Sequence, residues 1–263
     1  MRACTSCSSS SRAADLSGHS KWSTIKRRKG AADAQRSRLW GKLLRYVEVA
    51  ARDGGGNLDA NPTLASAVQK ARENSVPNDN IERAIKRGTG ELEGQTYEEV
   101  SYEGYGPGGV AILVRCLTNN RNRAAQDVRG AFNGGGGKLA EPGSVAWMFE
   151  PKGMVIVSRS SASEDEVFMV AADAGAEDVR ASDESIEVVT PSDALKAVRD
   201  ALARAGIVIE SSELTQVPKT TVPLDGATAR RTLNLLDGLE ELDDVQDVFA
   251  NFDIPDEVLA STA

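Results

Sequence analysis

Residues 154–189 read MVIVSRSSASEDEVFMVAADAGAEDVRASDESIEVV, and this stretch decides the fold around it. It opens on an apolar run, after which apolar residues recur at helical spacing. Ser163 and Glu166 have the spacing of a capping box at the start of this helix, and Gly175 is typical of its end. The stretch therefore predicts a strand followed by a capped helix.

Two more strands are predicted in the same stretch, over residues 177–180 and 185–189. Thr190-Pro191 predicts the start of a second helix, and residues 207–217 predict a final strand. The resulting βαββαβ order is that of a ferredoxin-like domain, which we place at residues 151–217.

The segments on either side predict a second, discontinuous α/β domain over residues 96–150 and 218–263. The glycine-rich residues 104–109 predict a hairpin loop between two strands, and the glycine run at residues 134–137 predicts a mobile connection. Two further strands are predicted at residues 145–149 and 154–157. A turn at residues 151–153 is predicted to join them.

Residues 18–95 predict a small helical domain. Apolar residues recur at helical spacing over residues 30–52, Asn61 precedes a proline as an N-cap does, and a short third helix ends at Gly88. The fold class is therefore α+β, with an N-terminal helical domain followed by two ferredoxin-like α/β domains, the last inserted into the middle one.

Residues 1–17 are rich in serine and have no apolar periodicity, which predicts a disordered extension. A transit peptide is the alternative, because the segment contains arginine and serine and little acid. Cys4 and Cys7 form an isolated Cys-x-x-Cys pair. Without a second pair at zinc spacing, we interpret it as an accident of the extension rather than a metal or redox site.

The composition excludes several classes of protein. The longest aliphatic run, residues 110–114, is far too short to cross a bilayer, and three cysteines exclude a disulfide framework and indicate a reducing compartment. One histidine argues against a catalytic triad or a multi-histidine metal site. We therefore expect no catalytic residues, metal or cofactor, and no membrane partner.

The net charge of −8 is unevenly distributed. Residues 1–90 carry +9 and residues 91–263 carry −17, and such an asymmetry indicates nucleic-acid contact by one part of a chain. A solvated basic helix face is the alternative. We favour nucleic acid because the cations are clustered, with an aromatic among them on which a base can stack. The predicted contacts are His19, Lys21, Trp22, Lys26, Arg27, Arg28, Lys29, Arg38, Lys42 and Arg45.

A second polar cluster lies between a predicted strand and a predicted helix. Arg121 and Arg123 follow Asn120, and we expect either that Asn120 simply caps the helix or that the two arginines make secondary contacts with phosphate. The acidic clusters at residues 164–166 and 240–244 are interpreted as solvated helix faces rather than magnesium sites.

Several motifs in the same order resemble the YebC/PmpR family over residues 18–258. They include GHSKW at residues 18–22, VPNDNIERA at residues 76–84, YEGYGPGG at residues 102–109, NRNR at residues 120–123, GSVA at residues 143–146 and DDVQDV at residues 243–248. The resemblance implies three domains, with the last inserted into the middle one. It also implies a cytoplasmic regulator of gene expression.

Bacterial members of that family are described as DNA-binding transcriptional regulators or linked to the ribosome, and mitochondrial relatives are translational activators. The resemblance places ribosome contact on the N-terminal basic domain. We accordingly expect a monomeric, non-enzymatic regulator that binds DNA. The alternatives are a ribosome-associated translation factor that binds large-subunit rRNA, and a protein-interaction scaffold.

Two positions depart from the family pattern. Asn119 stands where the family usually has Asp, which weakens any role that needs a carboxylate there. Leu16-Ser17 stands where family members begin with Met. We hypothesise that translation begins at codon 16 and that residues 1–15 are not translated; an intact mass that begins at Met1 would contradict this.

Overall fold

The computed structural model describes residues 33–181 and 185–254. It contains helices and mainly antiparallel sheets, which confirms the α+β class. The chain divides into two compact units: residues 150–217 form one, and the described residues before and after them form the other. Within the described ranges, no helix is long and apolar enough to cross a membrane.

Three helices begin the described chain: α1 (Asp33–Gly54), α2 (Pro62–Glu73) and α3 (Asn78–Gly88). Asn61 caps α2 as predicted, because its side chain accepts a hydrogen bond from the Leu64 amide at 3.0 Å. Its amide group also donates to the Ala50 carbonyl at 2.8 Å, which ties the start of α2 to α1.

Apolar side chains from all three helices form one core, which includes Val47, Leu64 and Ile81. Helices α1 and α3 approach closely at Gly88, where an added Cβ would clash with the Glu48 carbonyl oxygen. Only glycine fits this contact without moving a helix.

The next elements are β1 (Glu98–Tyr105), β2 (Ala111–Thr118), α4 (Arg121–Gly134) and β3 (Lys138–Leu139). Strands β1 and β2 form an antiparallel hairpin in which Tyr105 pairs with Ala111. The predicted glycine-rich loop joins them, and Gly108 and Gly109 have φ values of 75° and 79°. The hairpin prediction is confirmed.

The glycine run after α4 packs more tightly than predicted. An added Cβ at Gly135 would lie 2.7 Å from the Leu235 side chain, and one at Gly137 would lie 2.7 Å from the Tyr105 carbonyl oxygen. Gly135 and Gly137 therefore allow a close approach of backbone and side chains, while the mobility of this connection remains a prediction.

The following unit contains β4 (Phe149–Ser158), α5 (Glu164–Asp173), β5 (Asp178–Ala181), β6 (Ser185–Pro191), α6 (Leu195–Arg204) and β7 (Ile209–Pro218). The strand order is β5-β6-β4-β7, so each βαβ half has one strand of the other half between its strands. This is the ferredoxin-like arrangement predicted from the sequence. The capping box of Ser163 and Glu166 is also confirmed.

Two boundaries in this part of the chain were predicted wrongly. Residues 146–148 form a 3₁₀ turn rather than a strand, and β4 runs from Phe149 without the predicted turn at residues 151–153. The ladder between β4 and β6 begins at Lys152, so Pro151 removes no hydrogen bond from it. The second helix begins at Leu195, not at residues 190–191, which belong to β6.

The described chain ends with β8 (Val222–Pro223), α7 (Gly226–Glu240), β9 (Val245–Ala250) and β10 (Phe252–Asp253). Strand β9 joins the earlier strands in the antiparallel order β3-β1-β2-β9, while β8 and β10 form a parallel pair. Helices α4 and α7 pack on one face of the four-stranded sheet, and Phe132, Ile112 and Leu236 lie in that core.

This sheet is not connected in the split βαβ order. The chain runs β1-β2-α4-β3, and α7 and β9 follow only after residues 150–217. The glycine-rich hairpin causes the difference, since it brings the chain straight back into β2 before any helix forms. The helical region and this sheet also share one compact unit, so the three-domain boundaries remain a prediction.

Candidate nucleic-acid interface

The predicted contact residues are only partly within the described chain. Seven of them lie outside the described residues, so their role remains a prediction: His19, Lys21, Trp22, Lys26, Arg27, Arg28 and Lys29. The structure describes the other five, which are Arg38, Lys42, Arg45, Arg121 and Arg123.

Two basic residues of α1 contact the end of α7 and the residue before β1 in the same unit. Lys42 Nζ donates to the Glu240 carbonyl at 2.6 Å, and Arg52 Nη2 donates to the Tyr97 carbonyl at 2.9 Å. Glu240 is the last residue of α7, where the helix dipole favours a cation. Much of this face therefore joins two parts of the protein rather than facing solvent.

Arg45 is at the centre of this joint. Its Nη1 atom donates to the carbonyls of Leu117 and Asp243 at 3.2 and 2.7 Å, and it lies 3.3 Å from Asp244 Oδ1. The guanidinium carbon lies 5.1 Å from the centroid of the Tyr97 ring, a cation–π distance. The side chain is only 18% exposed. The cations of Arg45 and Lys42 already make hydrogen bonds within the folded protein, and their contact with nucleic acid remains a prediction.

Asp244 binds three elements through one carboxylate. It accepts hydrogen bonds from Arg123 Nη2 at 2.7 Å and from Thr118 Oγ1 at 2.9 Å, in addition to Arg45. We call these four residues the Asp244 network. Asp244 itself is only 7% exposed. The prediction of a solvated helix face over residues 240–244 is wrong here, because α7 ends at Glu240 and the chain then turns inward.

The network also affects two titrating groups. The hydrogen bond and charge of Asp244 raise the pKa of Arg123, which keeps this arginine charged. Burial, reinforced by the Asp244 charge, raises the pKa of Cys116 to about 12. Cys116 is therefore a neutral thiol in the core, not a reactive nucleophile.

The N-terminus of α4 confirms the capping interpretation and leaves two arginines at least half exposed. Asn120 accepts a hydrogen bond from the Arg123 amide at 3.1 Å, so the capping role is confirmed. Arg121 is exposed, and its one ion pair among the described residues is a long 3.7 Å contact with Glu98; half of the Arg123 side chain is exposed. A secondary contact with phosphate remains a prediction for both.

Asn119 makes one hydrogen bond that a carboxylate cannot make, because its amide nitrogen donates. Its Nδ2 atom donates to Gln95 Oε1 at 2.6 Å, while its Oδ1 atom accepts from Arg123 Nη2 at 3.0 Å. The amide thus serves as donor and acceptor at once. The departure from the family pattern is accommodated locally.

A cleft of about 680 Å³ lies beside the Asp244 network. Arg38 and Arg123 line it together with Asp127, Glu241 and Asp243, so charges of both signs face the same space. Arg38 is exposed, and the described residues give it no hydrogen-bond or ion-pair partner. Of the predicted contacts on α1, Arg38 is the one whose cation has no partner in the part of the chain that the structure describes.

Sequence reasoning missed a second buried carboxylate, Glu103 on β1. It accepts hydrogen bonds from the amides of Gly143, Val145 and Ala146 at 2.6, 2.6 and 2.8 Å. Burial favours its neutral form, but the three amides outweigh burial and hold its pKa below the ordinary value. In the sequence, Glu103 is only one acidic residue in a predicted strand, and nothing near it in the sequence indicates which amides it binds.

We expect Glu103→Gln to lower the free energy of unfolding by about 2 kcal/mol at neutral pH, because a charged acceptor is lost. Since the pKa of Glu103 is lower in the folded protein, its contribution is full above the unfolded value near 4.5 and is lost as the pH falls through the folded value. Urea unfolding at several pH values measures this. The exposed Glu99→Gln is the control; an equal loss in both variants would contradict the prediction.

The described fold defines an α+β protein in which a basic helical region is joined to an antiparallel sheet and a ferredoxin-like unit is inserted in the chain. Residues 20–91 match the family model described as "TACO1/YebC protein N-terminal domain", and residues 97–252 match "TACO1/YebC second and third domain". The chain belongs to the TACO1/YebC family.

Its relatives are similar over nearly their whole length. A "probable transcriptional regulatory protein" of Rubrobacter xylanophilus is 55% identical over 249 residues, which cover 94% of this chain and 100% of the relative. A protein of the same description from Syntrophobacter fumaroxidans is 54% identical, covering 93% of this chain and 98% of the relative.

A solved structure supports the fold. The crystal structure of a conserved hypothetical protein from Aquifex aeolicus is 46% identical and has a TM-score of 0.77. The match covers 85% of this chain and 92% of that chain.

Proposed function

We propose that this protein is a non-enzymatic, nucleic-acid-binding regulator of gene expression that acts in the cytoplasm as a monomer and binds DNA. The separation of charge carries the proposal: residues 1–90 have a net charge of +9, and residues 91–263 have −17. A basic region binds phosphates by releasing counterions, and an acidic remainder repels them. The description of the relatives as transcriptional regulatory proteins supports the same function.

The internal contacts of α1 reduce the number of its cations that we propose as phosphate contacts. Lys42, Arg45 and Arg52 already bind backbone or carboxylate oxygens of the same unit. We therefore assign the principal phosphate contacts to residues 19–29 and to Arg38. Arg121 and Arg123 are proposed as secondary contacts.

Salt dependence tests this proposal. If Lys and Arg side chains neutralise phosphates, the logarithm of the affinity for duplex DNA falls linearly with the logarithm of the salt concentration, by about 0.9 per phosphate contacted. An affinity that does not change with salt, or no binding at low salt, would contradict the proposal. Binding instead to an acidic protein would favour the scaffold alternative.

Crosslinking in cells distinguishes DNA from RNA. We expect promoter fragments among the bound sequences if the protein regulates transcription. Fragments of large-subunit rRNA would instead support the ribosome-associated translation factor, the alternative drawn from the family resemblance. Contacts of Lys and Arg with the backbone do not separate the two, because phosphate contacts carry no direct sequence information.

A further inference from the structure

Two aromatic side chains lie exposed near the turn that precedes β4. Trp147 is 65% exposed and Tyr105 is 40% exposed. Tyr105 Oη and Trp147 Nε1 donate to the same carbonyl oxygen, that of Ser144, at 3.2 and 3.1 Å. Their polar edges are therefore neighbours and already have an acceptor within the protein.

The backbone around Trp147 is firmly held. The carboxylate of Glu103 binds the amides of Val145 and Ala146, directly before Trp147. Val145 and Phe149 are buried in a small apolar cluster with Leu113 of β2 and Phe249 of β9. The Met148 carbonyl accepts a hydrogen bond from the Lys219 amide at 2.9 Å. Trp147 is exposed because its neighbours on both sides are anchored, not because the segment is loose.

A cation lies beside the aromatic pair. Lys138 pairs with Tyr105 in the ladder between β3 and β1. Opposite residues of antiparallel strands project on the same face, with Cβ atoms about 5 Å apart. Lys138 is exposed, and among the described residues it has no ion-pair partner.

We propose that Tyr105, Trp147 and Lys138 form a binding site for single-stranded nucleic acid, in which an unpaired base stacks on an aromatic ring and Lys138 contacts an adjacent phosphate. This inference rests on the proposed function and adds a further contact surface, remote in sequence from the basic N-terminal region. Exposed aromatics beside a cation are the combination that binds single strands without sequence preference.

The bonded polar edges favour a base over a protein partner. Tyrosine and tryptophan at protein interfaces use the hydroxyl or the indole N–H to bond a partner while the ring packs. Here the Ser144 carbonyl oxygen already accepts from Tyr105 Oη and Trp147 Nε1. The faces of the two rings are therefore what a ligand can contact. Stacking needs only a ring face, and a duplex does not offer its bases for stacking.

Binding of a uridine homopolymer and of a duplex of matched length to the full chain tests the site. We expect Trp147→Ala to weaken binding of the single strand by at least about fivefold, the low end for loss of one stacked base, and to leave duplex binding unchanged. Trp147→Phe should restore most of the affinity because it keeps a ring. Phe168→Ala, which removes another exposed aromatic, is the matched control and should have no effect.

Fluorescence gives an independent measurement. In a variant with Trp22→Phe and Trp40→Phe, Trp147 is the remaining tryptophan, and the single strand should quench its emission. Unchanged affinity in Trp147→Ala, or no quenching while the chain still binds nucleic acid, overturns this inference alone. Failure of the unmodified chain to bind either probe at low salt overturns the proposed function with it.

Discussion

Asp244→Ala should lower the free energy of unfolding by about 3 to 5 kcal/mol, the range for removing one partner of a buried ion pair. The substitution leaves Arg45, only 18% exposed, without its carboxylate. It also removes one of the two acceptors of Thr118 Oγ1 and the 2.7 Å ion pair to Arg123. The loss is large because three elements share one acceptor.

Urea unfolding followed by tryptophan fluorescence measures this effect, since Trp40 and Trp147 belong to the same compact unit as Asp244. Asp243→Ala is the matched control, because the neighbouring residue is exposed and bonds Arg45 through its carbonyl, which alanine keeps. We expect the control to change stability by less than about 0.5 kcal/mol. Similar small losses in both variants would show that the Asp244 network does not join α1 to the sheet.

Replacing Lys26, Arg27, Arg28 and Lys29 together by alanine should abolish binding of duplex DNA at physiological salt without unfolding the protein. If each contacts one phosphate, the slope of log affinity against log salt should become less steep by about 3.6. A salt titration with full-length protein measures the slope, and urea unfolding checks that the fold is intact.

The control for this variant removes the same charge elsewhere. Four exposed helix cations lie outside the predicted interface and can be replaced by alanine together: Lys196, Arg204, Arg230 and Arg231. We expect this control to keep most of the affinity, because the effect depends on the position of the charges rather than on their number. Equal losses in the two variants would assign binding to net charge and remove residues 26–29 from the interface.

Local patterns predicted most of the elements. Asn61 as a cap, the Ser163–Glu166 capping box and the hairpin of residues 104–109 all depend on neighbours within a few residues, and all three are confirmed. The errors lie where distant contacts decide. Residues 145–148 form a turn because Glu103, some forty positions earlier, binds the amides of Val145 and Ala146 in place of a strand partner.

The predicted contact residues show the same difference between local and distant information. The sequence predicted Arg38, Lys42 and Arg45 as contacts with nucleic acid, but it could not say which residues the fold brings against them. The structure brings residues 198 and 199 positions away against Lys42 and Arg45. A basic stripe predicted for phosphate is thereby used largely to bind carbonyls and a buried carboxylate.

The sequence by itself determined the α+β class, the ferredoxin-like order of residues 154–217 and the concentration of positive charge before residue 90, because periodicity, caps and charge are properties of neighbouring residues. Only the tertiary structure decided which cations are open to a ligand. A charged side chain forms internal hydrogen bonds or stays exposed according to the acceptors that folding brings to it. For α1 those acceptors lie far along the chain, at residues 117, 240 and 243–244.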